Sequence, residues 1–154
     1  RFKATGARDD YQFRPYDRNQ IVMTAANFVP KSKQSESNNK EFEKAAGDWK
    51  SSSSDNYVYI NVWNYVPKWK IQVTEGGTSL KVESVTAKDP LHLISYNANT
   101  PTGGFGTSNT KHMFRVKASS ASSTLEIKVI DRFGNIYTET MTRPKKFSTD
   151  IYKF

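Results

Sequence analysis

The sequence predicts a mainly β fold: an antiparallel two-sheet β-sandwich, Ig/fibronectin-like, with one short helix near 40–49. Three observations carry this. Apolar and polar residues alternate in several short segments, as in Trp69, Ile71 and Val73 or Leu125, Ile127 and Val129. Turn signals such as Glu75-Gly76-Gly77-Thr78 and Phe133-Gly134-Asn135 separate those segments at regular intervals. The 154 residues include 3 Trp, 8 Tyr and 9 Phe, enough large apolar side chains for one core. A single domain over 1–154 follows.

The elements follow in order. Tyr11 to Tyr16 and Gln20 to Thr24 are expected as strands flanking Asp17-Arg18-Asn19. Lys31 to Asn39 is polar and turn-like. Phe42, Ala45, Ala46 and Trp49 then fall at i, i+3, i+4 and i+7, the apolar stripe of a short helix. Ser37, Asn38 or Asn39 is the expected cap, and Gly47 weakens the last turn. Tyr57 to Trp63 is a strand. Lys68 to Thr74 alternates as a half-buried strand, and a hairpin closes at Gly76-Gly77, where glycine accepts positive φ cheaply. Further strands are expected near Leu80–Val85, Leu91–Tyr96, His112–Ala118, Leu125–Val129 and Ile136–Met141. Asp89 before Pro90 is expected as a strand-entry turn, because a residue preceding proline avoids the helical region.

Composition excludes several functions. There is no cysteine, so disulfides and thiol chemistry are out, and two histidines leave little for a metal centre or a Ser-His-Asp triad. Each histidine is expected to be a buried or hydrogen-bonded structural residue. No apolar run reaches the ~20 residues of a membrane span. The net charge of +8 is spread along the chain, with a local concentration at Arg143, Lys145, Lys146 and Lys153. Spread charge of this kind is a solvated surface, and no RNP-like aromatic cluster or basic stripe supports nucleic-acid binding. The loop from Asn97 to Lys111 contains Gly103-Gly104-Phe105-Gly106 but lacks a P-loop pattern. The carboxylates give no positive sign of a glycosidase pair.

One strand stands apart. Val58, Ile60 and Val62 form one apolar face, and Tyr57, Tyr59 and Trp63, with Asn61 among them, form another. A central strand covered on its second side by the 42–49 helix would account for this. An aromatic face of Tyr57, Tyr59, Trp63 and Tyr65, open to a sugar or a neighbouring domain, is the other reading, with Lys68 and Lys70 lying over the rings.

Five segments, taken in order, carry a resemblance. They are Asn61-Val62-Trp63-Asn64 with Trp69, then Lys88-Asp89-Pro90-Leu91, then Lys111-His112-Met113-Phe114. Asp131-Arg132-Phe133-Gly134-Asn135 running into Tyr137-Thr138-Glu139, and Arg143-Pro144-Lys145, complete the set. Together the sequence resembles the C-terminal domain of calcineurin-like phosphoesterases from Bacteroides-type bacteria. The resemblance implies a small β-sandwich following a dinuclear metallophosphoesterase domain. The metal-ligand motifs of that domain do not occur here, so no catalytic or metal role passes to any residue of this chain. What it implies is a non-catalytic accessory domain of an exported enzyme, with no cofactor of its own. Its partner is the N-terminal phosphoesterase domain, and a carbohydrate- or cell-surface-binding module is the alternative. Within the motifs, Asp131 is expected to accept backbone N–H groups across its turn, and Arg132 to reach a carboxylate such as Glu139.

Overall fold

A computed structural model describes residues 12–99 and 108–149, with the side chains of 95–99 set aside. The described residues form eight strands: β1 (Phe13–Asp17), β2 (Tyr57–Val62), β3 (Lys70–Glu75), β4 (Thr78–Ser79), β5 (Glu83–Ala87), β6 (Thr110–Lys117), β7 (Leu125–Ile130) and β8 (Ile136–Met141). Every pairing is antiparallel. One sheet has the order β1-β2-β6-β5 and the other β4-β3-β7-β8. Two antiparallel four-stranded sheets are what a β-sandwich requires.

Period-two alternation builds the space between the sheets. Phe13, Val58, Ile60, Val62, Phe114 and Val116 project from the first sheet. Val73, Leu125, Ile127, Val129, Tyr137 and Met141 project from the second. The outer face of the second sheet is polar, with Lys70, Gln72, Glu126, Lys128 and Thr138 exposed. The first sheet behaves differently. Its outer face carries a second core made by helices.

That second core explains the two-faced strand β2. Helices α1 (Ala25–Phe28), α2 (Glu36–Ala46) and α3 (Pro90–Asn99), with a 3-10 turn at Gly47–Lys50, cover the sheet. Phe42, Ala45, Ala46, Trp49, Leu91 and Leu93 are buried there with Tyr16, Ile21 and Met23. Among the described residues there are thus three α-helices where one was expected. Ser35, rather than residues 37–39, caps α2: its side chain accepts the Asn38 N–H at 3.1 Å. Gly47 ends α2 at φ +57°, a conformation that suits glycine.

Three other expectations change. Gln20–Thr24 is no strand. Residues 18–20 form a 3-10 turn, and the extended segment after it gives its Met23 N–H to the Trp49 carbonyl at 2.8 Å. The fifth strand begins at Glu83 instead of Leu80; the Leu80 N–H still bonds Val73 O at 2.8 Å. Leu91–Tyr96 belongs to helix α3. The Asp89-Pro90 pair is the reason. Asp89 Oδ1 accepts the Leu91 N–H at 2.9 Å, and Pro90 occupies the first helical position, where a missing N–H costs nothing.

Asp89 does more than cap. Tyr16 Oη donates to its Oδ1 and Asn61 Nδ2 to its Oδ2, both at 2.7 Å. One carboxylate therefore ties α3 to β1 and β2. The 3-10 turn is held by Arg18, whose guanidinium lies 5.3 Å from the Trp49 ring centroid and donates to Asp48 O and Ser51 O. Trp49 Nε1 donates to Lys88 O at 3.1 Å, and Lys88 Nζ donates to Ala45 O at 2.7 Å, closing the end of α2.

One end of the sandwich is bolted by a buried ion pair. Arg143 Nε and Nη2 donate to the two Asp17 oxygens at 3.2 and 3.1 Å, and both side chains are 0% exposed. Arg143 Nη1 also donates to Ser120 O at 2.6 Å, and the Lys145 N–H donates to Asp17 Oδ2 at 3.1 Å. The Arg143–Pro144 peptide bond is cis.

Arg143→Met leaves the Asp17 charge buried without its partner. The expected loss is about 3–5 kcal/mol of unfolding free energy, measured by urea titration. A variant as stable as the unaltered protein would show the pair to be dispensable. Asp89→Ala removes a cap and strands the Asn61 amide, which is 6% exposed. It should cost about 2–4 kcal/mol in the same titration, from a lost cap plus an unsatisfied buried donor.

Candidate interdomain face

The strand β2 and the loop after it position the aromatic residues singled out from sequence. Their environments differ. Tyr59 lies on the outer face of its sheet against Trp49, with ring centroids 5.1 Å apart in an edge contact. Tyr57 lies on the same face, one strand from Arg115 and Lys117, whose charged groups sit 4.5 and 5.7 Å from its ring centroid. These are not the expected Lys68 and Lys70: Lys70 opens β3 in the other sheet, and Lys68 lies in the loop before it. Trp63 is half-buried just past β2, where its N–H donates to Gln12 O at 2.9 Å. Tyr65 is half-buried on the sandwich core, 4.8 Å from Phe114 and 6.1 Å from His112. The structure brings Tyr57 and Tyr59 to one face, and Trp63 and Tyr65 to the loop that crosses between the sheets.

That crossover loop defines one end of the sandwich. Gln12 lies beside Trp63, and Phe13 pairs with Val62, so the chain enters β1 at this end. Lys70 pairs with Ile130, and Ile130 pairs with Ile136, which places the β7–β8 turn at the same end. Asp131 organises that turn. Its Oδ1 accepts the N–H groups of Phe133 and Asn135 at 2.8 and 2.9 Å, and Oδ2 accepts Asn135 Nδ2 at 2.7 Å. This is the role expected of Asp131. Arg132 does not reach Glu139. It stacks 4.5 Å over the Phe133 ring centroid, while Lys145 from beyond β8 holds Glu139. Alternation explains the difference: Glu139 pairs with Ile127 and shares its inward face, away from the turn.

Sequence reasoning missed the turn's exposed apolar residues. Phe133 is 75% exposed and Ile136 59%. The hairpin signal of Phe133-Gly134-Asn135 concealed them, because the turn needs glycine for its φ of +84° but has no use for a large ring beside it.

Both histidines are exposed, His92 on α3 and His112 on β6, where its ring lies 6.1 Å from that of Tyr65; of the expected buried or hydrogen-bonded placement, only burial is corrected. They lie on different elements, and among the described residues no group of three or more His, Cys, Asp or Glu side chains is placed to hold a metal ion. These donors do not fit a dinuclear centre. A cleft of about 540 Å³ borders β3, with Gln72, Thr74, Leu80, Val82, Lys128 and Thr138 among its walls. None of Tyr57, Tyr59, Trp63 and Tyr65 lines it. The loop glycines 103, 104 and 106 lie outside the described residues. No helix among the described residues is long and apolar enough to cross a membrane.

At Asp131, desolvation pushes the carboxyl pKa up, but hydrogen bonds from the Asn135 side chain, the Asn135 and Phe133 N–H groups and Tyr137 outweigh it. The group therefore titrates below the ordinary value of 3.8. A depressed carboxylate pKa means the turn's stabilisation is present above the unfolded-state value and is lost as pH falls through the folded one. NMR titration should show the Phe133 and Asn135 amide resonances shifting together with a midpoint below 3.8. A midpoint at or above that value would refute the hydrogen-bonded turn.

No curated protein and no solved structure matches the chain. The family model described as the C terminal of calcineurin-like phosphoesterase matches residues 1–137, from ahead of β1 into β8. The match spans both sheets, the helical layer between β1 and β2, and the turn built on Asp131, and the chain belongs to this family of phosphoesterase C-terminal domains.

Proposed function

We propose that the chain is a non-catalytic accessory domain that packs on, or borders, the catalytic domain of a bacterial calcineurin-like metallophosphoesterase. The family match over residues 1–137 carries this reading. Polar side chains of this domain are spent on structure. Asp17 and Arg143 hold each other, Asp89 ties three elements together, and Asp131 organises a turn. The hydrolytic metal centre belongs to the catalytic domain, and any phosphoester substrate is bound there. Export to the periplasm or cell surface is part of the same proposal and rests on the resemblance to Bacteroides-type enzymes. A carbohydrate-binding role for Tyr57, Tyr59, Trp63 and Tyr65 draws less support, since Tyr59 packs on Trp49 and Tyr65 on Phe114.

Paired assays with a generic phosphodiester and Mn²⁺ test the reading. This chain is expected to give no turnover above the metal blank, and the longer polypeptide that includes the catalytic domain to turn over readily. Hydrolysis by this chain alone would overturn it, and His92→Ala and His112→Ala would then be the first variants to compare.

A further inference from the structure

Resting on that reading, we infer that the crossover end of the sandwich is the surface that docks against the phosphoesterase domain, with Phe133 and Ile136 as its apolar anchors. Three observations point there. First, the described chain begins at this end, where the Gln12 carbonyl accepts the Trp63 N–H and Phe13 opens β1 opposite Val62. Second, Phe133 is 75% exposed on a turn whose backbone Asp131 already fixes, and Ile136 is 59% exposed beside it. An exposed ring on a rigid turn loses little conformational freedom on docking, which favours its use as an anchor. The half-buried Trp69 and Tyr65 extend the apolar surface along the same end. Third, the end is basic. Lys68, Lys70, Lys111 and Arg132 are exposed around it, whereas Asp131 is occupied within its own turn.

The partner surface that fits is an apolar depression rimmed by carboxylates. Phe133 and Ile136 enter the depression, and the cations meet the rim, where complementary charge sets orientation more than affinity. The opposite end offers no such fit, being closed by the Asp17–Arg143 pair and the Lys145 backbone.

Hydrogen exchange by mass spectrometry, on this chain alone and within the longer polypeptide, tests the inference. Amides of 63–69, 111–113 and 131–136 are expected to exchange about tenfold more slowly in the longer polypeptide. The Phe133→Ser/Ile136→Ser variant should abolish that protection while leaving the melting temperature of this chain unchanged, because both side chains are exposed. Protection confined to another face, such as the outer side of β3 and β7, would overturn the inference and leave the accessory reading standing. No protected segment anywhere would overturn both. Protection of the patch in this chain alone that grows with protein concentration would give the surface to a second copy, and so overturn the inference as well.

Discussion

The Asp17–Arg143 pair is the constraint on which the rest of the domain depends. It joins residues 126 positions apart, one at the end of β1 and the other just past β8, and so clamps the two sheets together at one end. A buried ion pair is a costly device, since two desolvated charges need each other and further hydrogen bonds to break even. Here Ser120 O and the N–H groups of Lys145 and Asn19 supply those bonds. The arrangement specifies where the C-terminal segment runs. From that path Lys145 reaches Glu139, and Phe147 meets Tyr16 and Phe28 at the rim of the helical core. Arg143 and Phe147 both lie beyond residue 137, where the family match ends.

A sheet buried on both faces changes what an aromatic strand means. In a plain sandwich, Tyr57, Tyr59 and Trp63 would face water. Here the helices between β1 and β2, and α3 before β6, cover much of that face, and Trp49 takes Tyr59 into the second core. Rings that resemble a binding platform in one dimension are in part the underside of a helical layer. The surface left for recognition moves to the loops at the crossover end, where function is carried at least cost to the core.

Much of the architecture was legible. The two-sheet sandwich, the α2 stripe, both glycine hairpins and the role of Asp131 follow from period, spacing and turn chemistry. The failures share a cause. Leu91-His92-Leu93 alternates like a strand, but Asp89 and Pro90 before it are a helix start, and a short alternating run cannot outweigh a cap. Ile21 and Met23 alternate as well, yet their backbone partner is a carbonyl on the 3-10 turn, which no local pattern encodes.

The candidate face divides in the same way. By itself, the sequence determined that β2 is apolar on both sides, that Asp131 shapes a turn, and that the chain resembles a phosphoesterase C-terminal domain. Those are local or ordered-motif properties, set by neighbours within a few positions. Only the tertiary structure decided that Tyr59 packs against Trp49, that Arg115 and Lys117 rather than Lys68 and Lys70 lie over Tyr57, and that Phe133 and Ile136 stand in solvent at the crossover end. Exposure and cross-strand neighbours arise from contacts between residues far apart in sequence. Such contacts are fixed by how the two cores close, and no window of adjacent residues contains them.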